Sequence, residues 1–160
     1  MTDGLPGQDE AMEIYQDFLD QITDAYMKRD FDAYAQLIRV PHDLGSFGPR
    51  LEVRNHKELR FLFDSICDHL FSESGKHYVR TCLTAEFVHP NKIVGVHETR
   101  VVAGGLIKDG PYPVKGIMRR IDGQWWVCGS DNAIEPDDGM GRVILTHARS
   151  KDELSGKTVH

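Results

Sequence analysis

The spacing of apolar residues changes once along the chain, from a helical period before Gly75 to a strand period after it. Between residues 8 and 28, apolar side chains recur every three or four positions, which predicts an amphipathic helix with one buried face. A second long helical stripe follows Asn55, and Asn55 together with Glu58 forms a capping box at its start. Gly75 is a suitable C-terminal stop for this helix. The N-terminal half is therefore predicted to be mainly helical.

A shorter helix is predicted between these two. Asp30 is a favourable N-cap, and Pro41 would end the helix because proline lacks the backbone donor that a helix interior needs. The residues expected to face inward are Phe31, Tyr34, Leu37 and Ile38. The stretch 42–55 is interrupted by glycine and predicts a weak hairpin with Gly48-Pro49 at its turn.

After Gly75, apolar and polar residues alternate, which is typical of strands with one buried face. The predicted strands are 77–89, 92–103, 111–121 and 124–134. Short connections, such as the hairpin signal Asp122-Gly123, make successive strands antiparallel neighbours. Helices followed by such a meander predict an α+β fold, with one domain over residues 1–134. Residues 135–160 are mostly polar and are expected to form an extension, either partly disordered or docked on a partner subunit.

Composition excludes several classes of function. The 160 residues carry a net charge of −6 without a dense run of lysine and arginine, so a nucleic-acid partner is not expected. No apolar run approaches the ~18 residues of a membrane span, and no signal peptide is visible, which predicts a cytoplasmic protein away from the membrane. Three widely spaced cysteines and eight scattered histidines show no metal-ligand spacing, and there is no nucleotide-binding loop. Neither a metal nor a cofactor is predicted.

Two short motifs support a more specific comparison. Residues 29–34, Arg-Asp-Phe-Asp-Ala-Tyr, enter the second helix, and residues 122–127, Asp-Gly-Gln-Trp-Trp-Val, open the last strand. With the order of elements, they resemble the nuclear transport factor 2-like superfamily, in particular its SnoaL-like and ketosteroid-isomerase-like branch. The resemblance implies a cone-shaped α+β barrel with three N-terminal helices packed on a curved, mainly antiparallel sheet. It also implies a pocket for a small molecule between helices and sheet, and a homodimer through the outer face of the sheet.

Four ionisable residues are candidates for acid–base chemistry in such a pocket. Asp131 shares a strand face with Trp125 and Val127, and His97 interrupts an apolar stripe on the strand 92–103. Burial would bring a carboxyl pKa towards neutrality, which suits proton transfer. His42 and Asp43 are alternates, because several superfamily enzymes place their base at this point. Each candidate could instead be a structural residue, such as a hydrogen-bonded core histidine or an ion-paired aspartate.

The predicted pocket wall combines helix and strand residues. Its members are Tyr15, Phe18, Ile22, Tyr26, Phe63, Thr99, Tyr112, Trp125 and Val127. On the strand 77–89, alternation assigns Arg80 and Glu86 to the outer face, where they would make ion pairs in a dimer interface. Two hypotheses follow. One is a cofactor-independent lyase, isomerase or cyclase that acts on an apolar carbonyl compound through Asp131 and His97. The other is a ligand-binding or accessory dimerisation module without chemistry.

Overall fold

The structure is a computed structural model that describes residues 4–45, 50–72 and 75–132. Three helices come first: α1 (Gln8–Met27), α2 (Phe31–Ala35) and α3 (His56–Leu70). The side chain of Asp30 accepts a hydrogen bond from the Ala33 amide at the start of α2, and Asn55 does the same for the Glu58 amide in α3. Both predicted caps are present, so the local sequence signals define where these helices begin.

Six strands form one curved sheet. They are β1 (Ile38–Gly45), β2 (Leu51–Val53), β3 (Lys76–His89), β4 (Lys92–Ala103), β5 (Leu106–Ile121) and β6 (Gln124–Asn132). Their order is β2-β1-β6-β5-β4-β3, and all neighbours are antiparallel except the parallel pair β1 and β6. The helices cover one face of this sheet and bury an apolar core against it. The predicted α+β architecture is confirmed.

Two predicted boundaries are wrong, and a third, the helix stop at Gly75, lies past the observed end of α3 at Leu70. The second helix ends at Ala35 instead of reaching Pro41, and residues from Ile38 onward form β1. The helix gives way to a strand here because the chain pairs with the parallel strand β6. The Val127 amide donates to the Leu37 carbonyl at 2.9 Å, and Ile38 pairs with Val127. The second difference is the loop predicted from Gly104 to Gly110. Gly104 and Gly105 alone make the turn, both at positive φ, and β5 begins at Leu106.

A β-bulge in each of two strands reverses which residues face the helices. In β3, Cys82 pairs with His97 and Thr84 with Val96, so Leu83 is the extra residue. In β6, Val127 pairs with Met118 and Gly129 with Ile117, so Cys128 is the extra residue. An extra residue shifts the two-residue alternation by one, so the inward face changes parity across each bulge. Alternation counted straight along the sequence therefore fails at one end of each strand.

Helix α1 lies against β3, which is an edge strand of the sheet. The side-chain amide of Gln16 donates to the Arg80 carbonyl at 3.2 Å and accepts from the Cys82 amide at 2.7 Å. These are edge groups that a further strand would otherwise bind, so Gln16 satisfies them and fixes α1 beside the bulge. No helix in the described part of the chain is long and apolar enough to cross a membrane. The predicted extension, 135–160, lies outside the described residues.

Candidate functional site

A cavity of about 90 Å³ lies between the helices and the inner face of the sheet. Its lining is mostly apolar and aromatic, with a few polar side chains among them. The lining residues are Tyr15, Phe18, Leu19, Ile22, Tyr26, Tyr34, Ile38, His42, Leu44, Leu62, Ile66, Tyr78, Arg80, His97, Val114, Gly116, Met118, Val127, Ser130 and Asn132. The volume is smaller than the few hundred cubic ångströms typical of ligand sites, so this cavity fits only a compact molecule.

Tyr15 reaches the sheet because two glycines leave room for its ring. Gly95 of β4 and Gly116 of β5 are paired across the two strands. A Cβ atom added at Gly95 would lie 2.5 Å from the Tyr15 ring, and one added at Gly116 would overlap the Tyr15 hydroxyl oxygen. The phenol therefore packs directly on the backbone of two neighbouring strands. The two glycines fix the depth at which the Tyr15 hydroxyl sits in the cavity wall.

The Tyr15 hydroxyl and His97 form a buried hydrogen bond, with 2.6 Å between the phenol oxygen and Nδ1. On the other side of the imidazole ring, the Arg80 Nη2 atom lies 3.4 Å from Nε2. A guanidinium can only donate, so His97 accepts at Nε2 and carries its proton at Nδ1. That proton is donated to the Tyr15 oxygen, which leaves the Tyr15 hydroxyl proton free for another acceptor. Arg80 thus donates to His97, and His97 in turn donates to Tyr15.

Burial sets the protonation of this chain. It lowers the pKa of His97 to about 2, and the nearby positive charge of Arg80 acts in the same direction. Burial also raises the pKa of Tyr15, and the charge of Arg80 offsets only part of that increase. At neutral pH the imidazole and the phenol are therefore both neutral. The pair can donate a hydrogen bond to a ligand but does not itself supply charge.

His42 is the second histidine in the cavity wall. It is 6% exposed, and its Nδ1 atom has no hydrogen-bond partner. Burial lowers the pKa of His42 to about 4, although the Asp43 carboxylate and a hydrogen bond with the Val127 backbone oppose the shift. His42 is therefore a neutral imidazole at pH 7 with an unused nitrogen. Such a group can accept a proton from a bound molecule.

The two candidate aspartates do not join this site, contrary to the sequence prediction. Asp131 follows the bulge at Cys128, so Ser130 and Asn132 line the cavity and Asp131 points away from it. Its side chain is 51% exposed and lies 3.0 Å from Arg50 Nη2. Asp43 is 53% exposed and accepts from the same guanidinium at 2.7 Å. Asp131 and His97 therefore do not form an acid–base pair. Asp131 is instead an ion-paired aspartate, which was the structural alternative.

Five of the nine predicted wall residues line the cavity: Tyr15, Phe18, Ile22, Tyr26 and Val127. The other four are absent from it. Phe63 and Tyr112 belong to the packed core, where the Phe63 ring stacks on Tyr26 at 5.5 Å. Thr99 is 1% exposed and does not line the cavity. Trp125 packs edge-on against Phe87 near the start of β6, away from Ser130 and Asn132.

Arg80 is the residue that sequence reasoning placed on the wrong side. Straight alternation along β3 grouped it with Glu86 on the outer face, but the bulge at Leu83 separates the two. Arg80 lines the cavity with Tyr78, whose ring lies 5.3 Å from the guanidinium carbon. Glu86 remains exposed. Single-sequence signals for the bulge are weak, since Leu83 is an ordinary strand residue that here is 51% exposed.

No grouping of three or more potential metal ligands occurs within the described ranges. The polar lining consists of tyrosines, two histidines, one arginine, Ser130 and Asn132. Neutral donors around an apolar space can bind and orient a polar group of a small molecule, and the histidines can transfer protons.

Comparison with known proteins identifies the fold. No family model and no curated protein sequence matches the chain. A variant of a Mycobacterium tuberculosis protein of unknown function superposes with a TM-score of 0.64 at 15% identity, over 85% of this chain and 87% of that one. A nuclear transport factor 2-like protein with a cystatin-like fold from Novosphingobium aromaticivorans has a TM-score of 0.61 at 15% identity, over 85% and 89%. A type 2 hexachlorocyclohexane dehydrochlorinase has a TM-score of 0.56 at 15% identity, over 74% and 81%.

The chain therefore has the nuclear transport factor 2-like fold, as the sequence resemblance implied. At these identities the similarity defines the fold and leaves the activity to be argued from the site.

Proposed function

We propose that this protein binds a compact organic molecule in the cavity between α1 and the sheet. The observation that carries the proposal is the set of polar groups in an otherwise apolar wall that have unused hydrogen-bonding capacity. His42 Nδ1 and two donor atoms of Arg80, Nε and Nη1, are buried and have no partner within the described chain. The contact of Arg80 with His97 assigns the His97 proton to Nδ1, which leaves the Tyr15 hydroxyl proton for another acceptor. Buried polar atoms without partners are costly, so these groups support a ligand that completes them.

The proposed ligand is mainly apolar and carries a carbonyl or similar acceptor. Phe18, Leu19 and Ile22 of α1 face the apolar side chains of the sheet across the cavity. Their burial against a ligand would supply most of the binding free energy, at about 25 cal/mol per Å² of apolar area. The Tyr15 hydroxyl would donate to the acceptor and so fix its orientation.

A proton-transfer reaction is the second candidate, favoured by His42. Its neutral imidazole would remove a proton next to the carbonyl, while Tyr15 would stabilise the negative charge that develops on the carbonyl oxygen. The reaction class would be a cofactor-independent lyase, isomerase or cyclase. One protein of the same fold is a dehydrochlorinase by name, an activity that removes hydrogen and chlorine from a substrate. Non-catalytic binding remains the alternative, in which His42 serves only as a polar contact.

Mass spectrometry of small molecules extracted from the purified protein tests the binding proposal. A cavity-filling variant, Ser130→Phe, is expected to lose the extracted molecule, because residue 130 lines the cavity. The neighbouring variant Asp131→Asn points away from the cavity and is expected to keep it. Far-UV circular dichroism checks that both variants are folded. Equal recovery of the molecule from both variants would place its binding site elsewhere.

Once a bound molecule is known, His42→Gln separates the two candidates. Glutamine keeps a polar side chain but cannot act as a base near neutral pH. Loss of turnover with retained affinity would support proton transfer, and unchanged conversion would remove His42 from the mechanism.

We also propose a homodimer through the outer face of the sheet, which light scattering after size-exclusion chromatography tests. A monomer at micromolar concentration would contradict it.

A further inference from the structure

Arg80 carries a positive charge into the cavity wall, and no acidic residue of the described chain lines that cavity, although Arg80 also borders a surface groove beside Asp20 and Asp24. Its Nε and Nη1 atoms are buried without a hydrogen-bond partner. Its only polar side-chain contact in the described structure is the 3.4 Å approach of Nη2 to His97. The remaining contact is with the Tyr78 ring, at 5.3 Å from the guanidinium carbon. Arg80 is half-buried as a residue, but leaving its buried Nε and Nη1 donors without an acceptor is unfavourable, and a bound anion would complete them.

The backbone around Arg80 is held by α1 and lies directly before the bulge at Leu83. Gln16 of α1 holds the Arg80 carbonyl and the Cys82 amide on either side of residue 81. The bulge at Leu83 follows directly and sets the inward direction of residues 78, 80 and 82. The protein thus uses a specific backbone irregularity to present a cation inside an apolar cavity.

From this arrangement we infer that the ligand of the cavity is a monocarboxylate, with its carboxylate bound by Arg80. The inference rests on the proposed binding function and adds the ligand class. The planar guanidinium fork matches the two oxygens of a carboxylate. Among the described lining residues, Arg80 is the only side chain that carries a charge at neutral pH, since burial keeps His42 and His97 neutral. One charge in a cavity of about 90 Å³ favours a compact monoanion over a phosphate dianion.

Matched pairs of small probes test this inference directly. Isothermal titration calorimetry would compare acetate, butanoate and benzoate with their neutral amides, which have nearly the same shape. Wild-type protein is expected to bind at least one acid at least about tenfold more tightly than its amide, since hydrogen bonds to charged groups are the stronger ones. Inorganic phosphate is expected to bind more weakly than the preferred acid. Tighter binding of phosphate would overturn the carboxylate assignment.

Three variants assign the preference to Arg80. Arg80→Met keeps the apolar stem and is expected to abolish the preference for acid over amide. Arg80→Lys keeps the charge and is expected to retain part of it. Arg119→Met makes the same change of charge on an exposed residue of β5, and the preference should remain. A second readout is thermal: Arg80→Met should raise the Tm of the ligand-free protein by about 2–4 °C, because it removes two buried donors, Nε and Nη1, that have no partner.

The outcomes separate this inference from the binding proposal. If the amides bind as tightly as the acids, the cavity binds ligands but the monocarboxylate assignment is wrong. If none of the probes binds, both are overturned for ligands of this size. If Arg80→Met lowers the Tm and weakens acids and amides equally, Arg80 has a structural role and the inference fails.

Discussion

Two histidines buried in the neutral form make the stability of this protein sensitive to acid. The pKa of His42 is lowered to about 4 and that of His97 to about 2, both mainly by burial. In the unfolded chain each imidazole has an ordinary pKa of about 6.5. Between these values the unfolded state binds protons that the folded state does not. Stability is therefore present above about pH 6.5 and is lost progressively as the pH falls towards the folded pKa values.

The size of the effect follows from the shifts. Each histidine contributes a slope of about 1.4 kcal/mol per pH unit once the pH is well below 6.5. From pH 7 to pH 5 the expected loss is about 2 kcal/mol for each residue, and about 4 kcal/mol for both together. A typical domain has only about 5–15 kcal/mol of stability, so this loss is a large fraction of the total. These figures apply to fully buried side chains, and both histidines are at most 6% exposed.

Urea unfolding monitored by tryptophan fluorescence at several pH values between 5 and 7.5 measures this slope. His42→Gln and His97→Gln should each reduce the slope by about 1.4 kcal/mol per pH unit, whatever they do to stability at pH 7. His77→Gln is the matched control, since His77 is exposed on β3. If the slope of wild-type protein is retained in both buried-site variants, acid sensitivity arises elsewhere and the assigned protonation states are wrong.

Two further substitutions test the geometry of the site. Gly116→Ala should destabilise the protein by about 1–3 kcal/mol, because the added Cβ overlaps the Tyr15 hydroxyl. The control is Gly129→Ala, whose Cβ would lie 3.4 Å from the Asp43 carbonyl. Equal urea midpoints for the two variants would contradict the close packing of Tyr15. Asp131→Asn should leave both the urea midpoint and ligand affinity nearly unchanged, because its ion pair with Arg50 is solvent-exposed. A large loss of affinity in the ligand titration would return Asp131 to the site.

The order of elements could be predicted from the sequence because local signals encode it. The side-chain caps at Asp30 and Asn55 define helix starts through bonds to amides three residues away, and the change from helical to alternating period separates the helices from the sheet. The boundary between α2 and β1 could not be predicted in this way. It depends on the pairing of Ile38 with Val127, which is 89 positions away in the chain, and no local pattern records that partner.

In the candidate site, too, some features follow from local sequence and others depend on pairing with distant strands. The sequence by itself identified an inward face on β4 and on α1, and the cavity there is lined by His97, Tyr15, Phe18 and Ile22. These elements keep a single period over the relevant residues, so alternation assigns their faces. On β3 and β6 the inward faces depend on strand pairing, because a single extra residue at Leu83 and at Cys128 reverses the alternation beyond it.

The two bulges determine which charged residue faces the cavity. Without the bulges, Asp131 would face inward and Arg80 outward, and the cavity would hold an acid. With them, Arg80 lies inside and Asp131 is bound to Arg50 at the surface. Bulges form where the pairing of whole strands requires them, through backbone hydrogen bonds and sheet curvature that single residues do not specify. The sequence determined the fold and half of the wall, whereas strand register determined the sign of the charge within it.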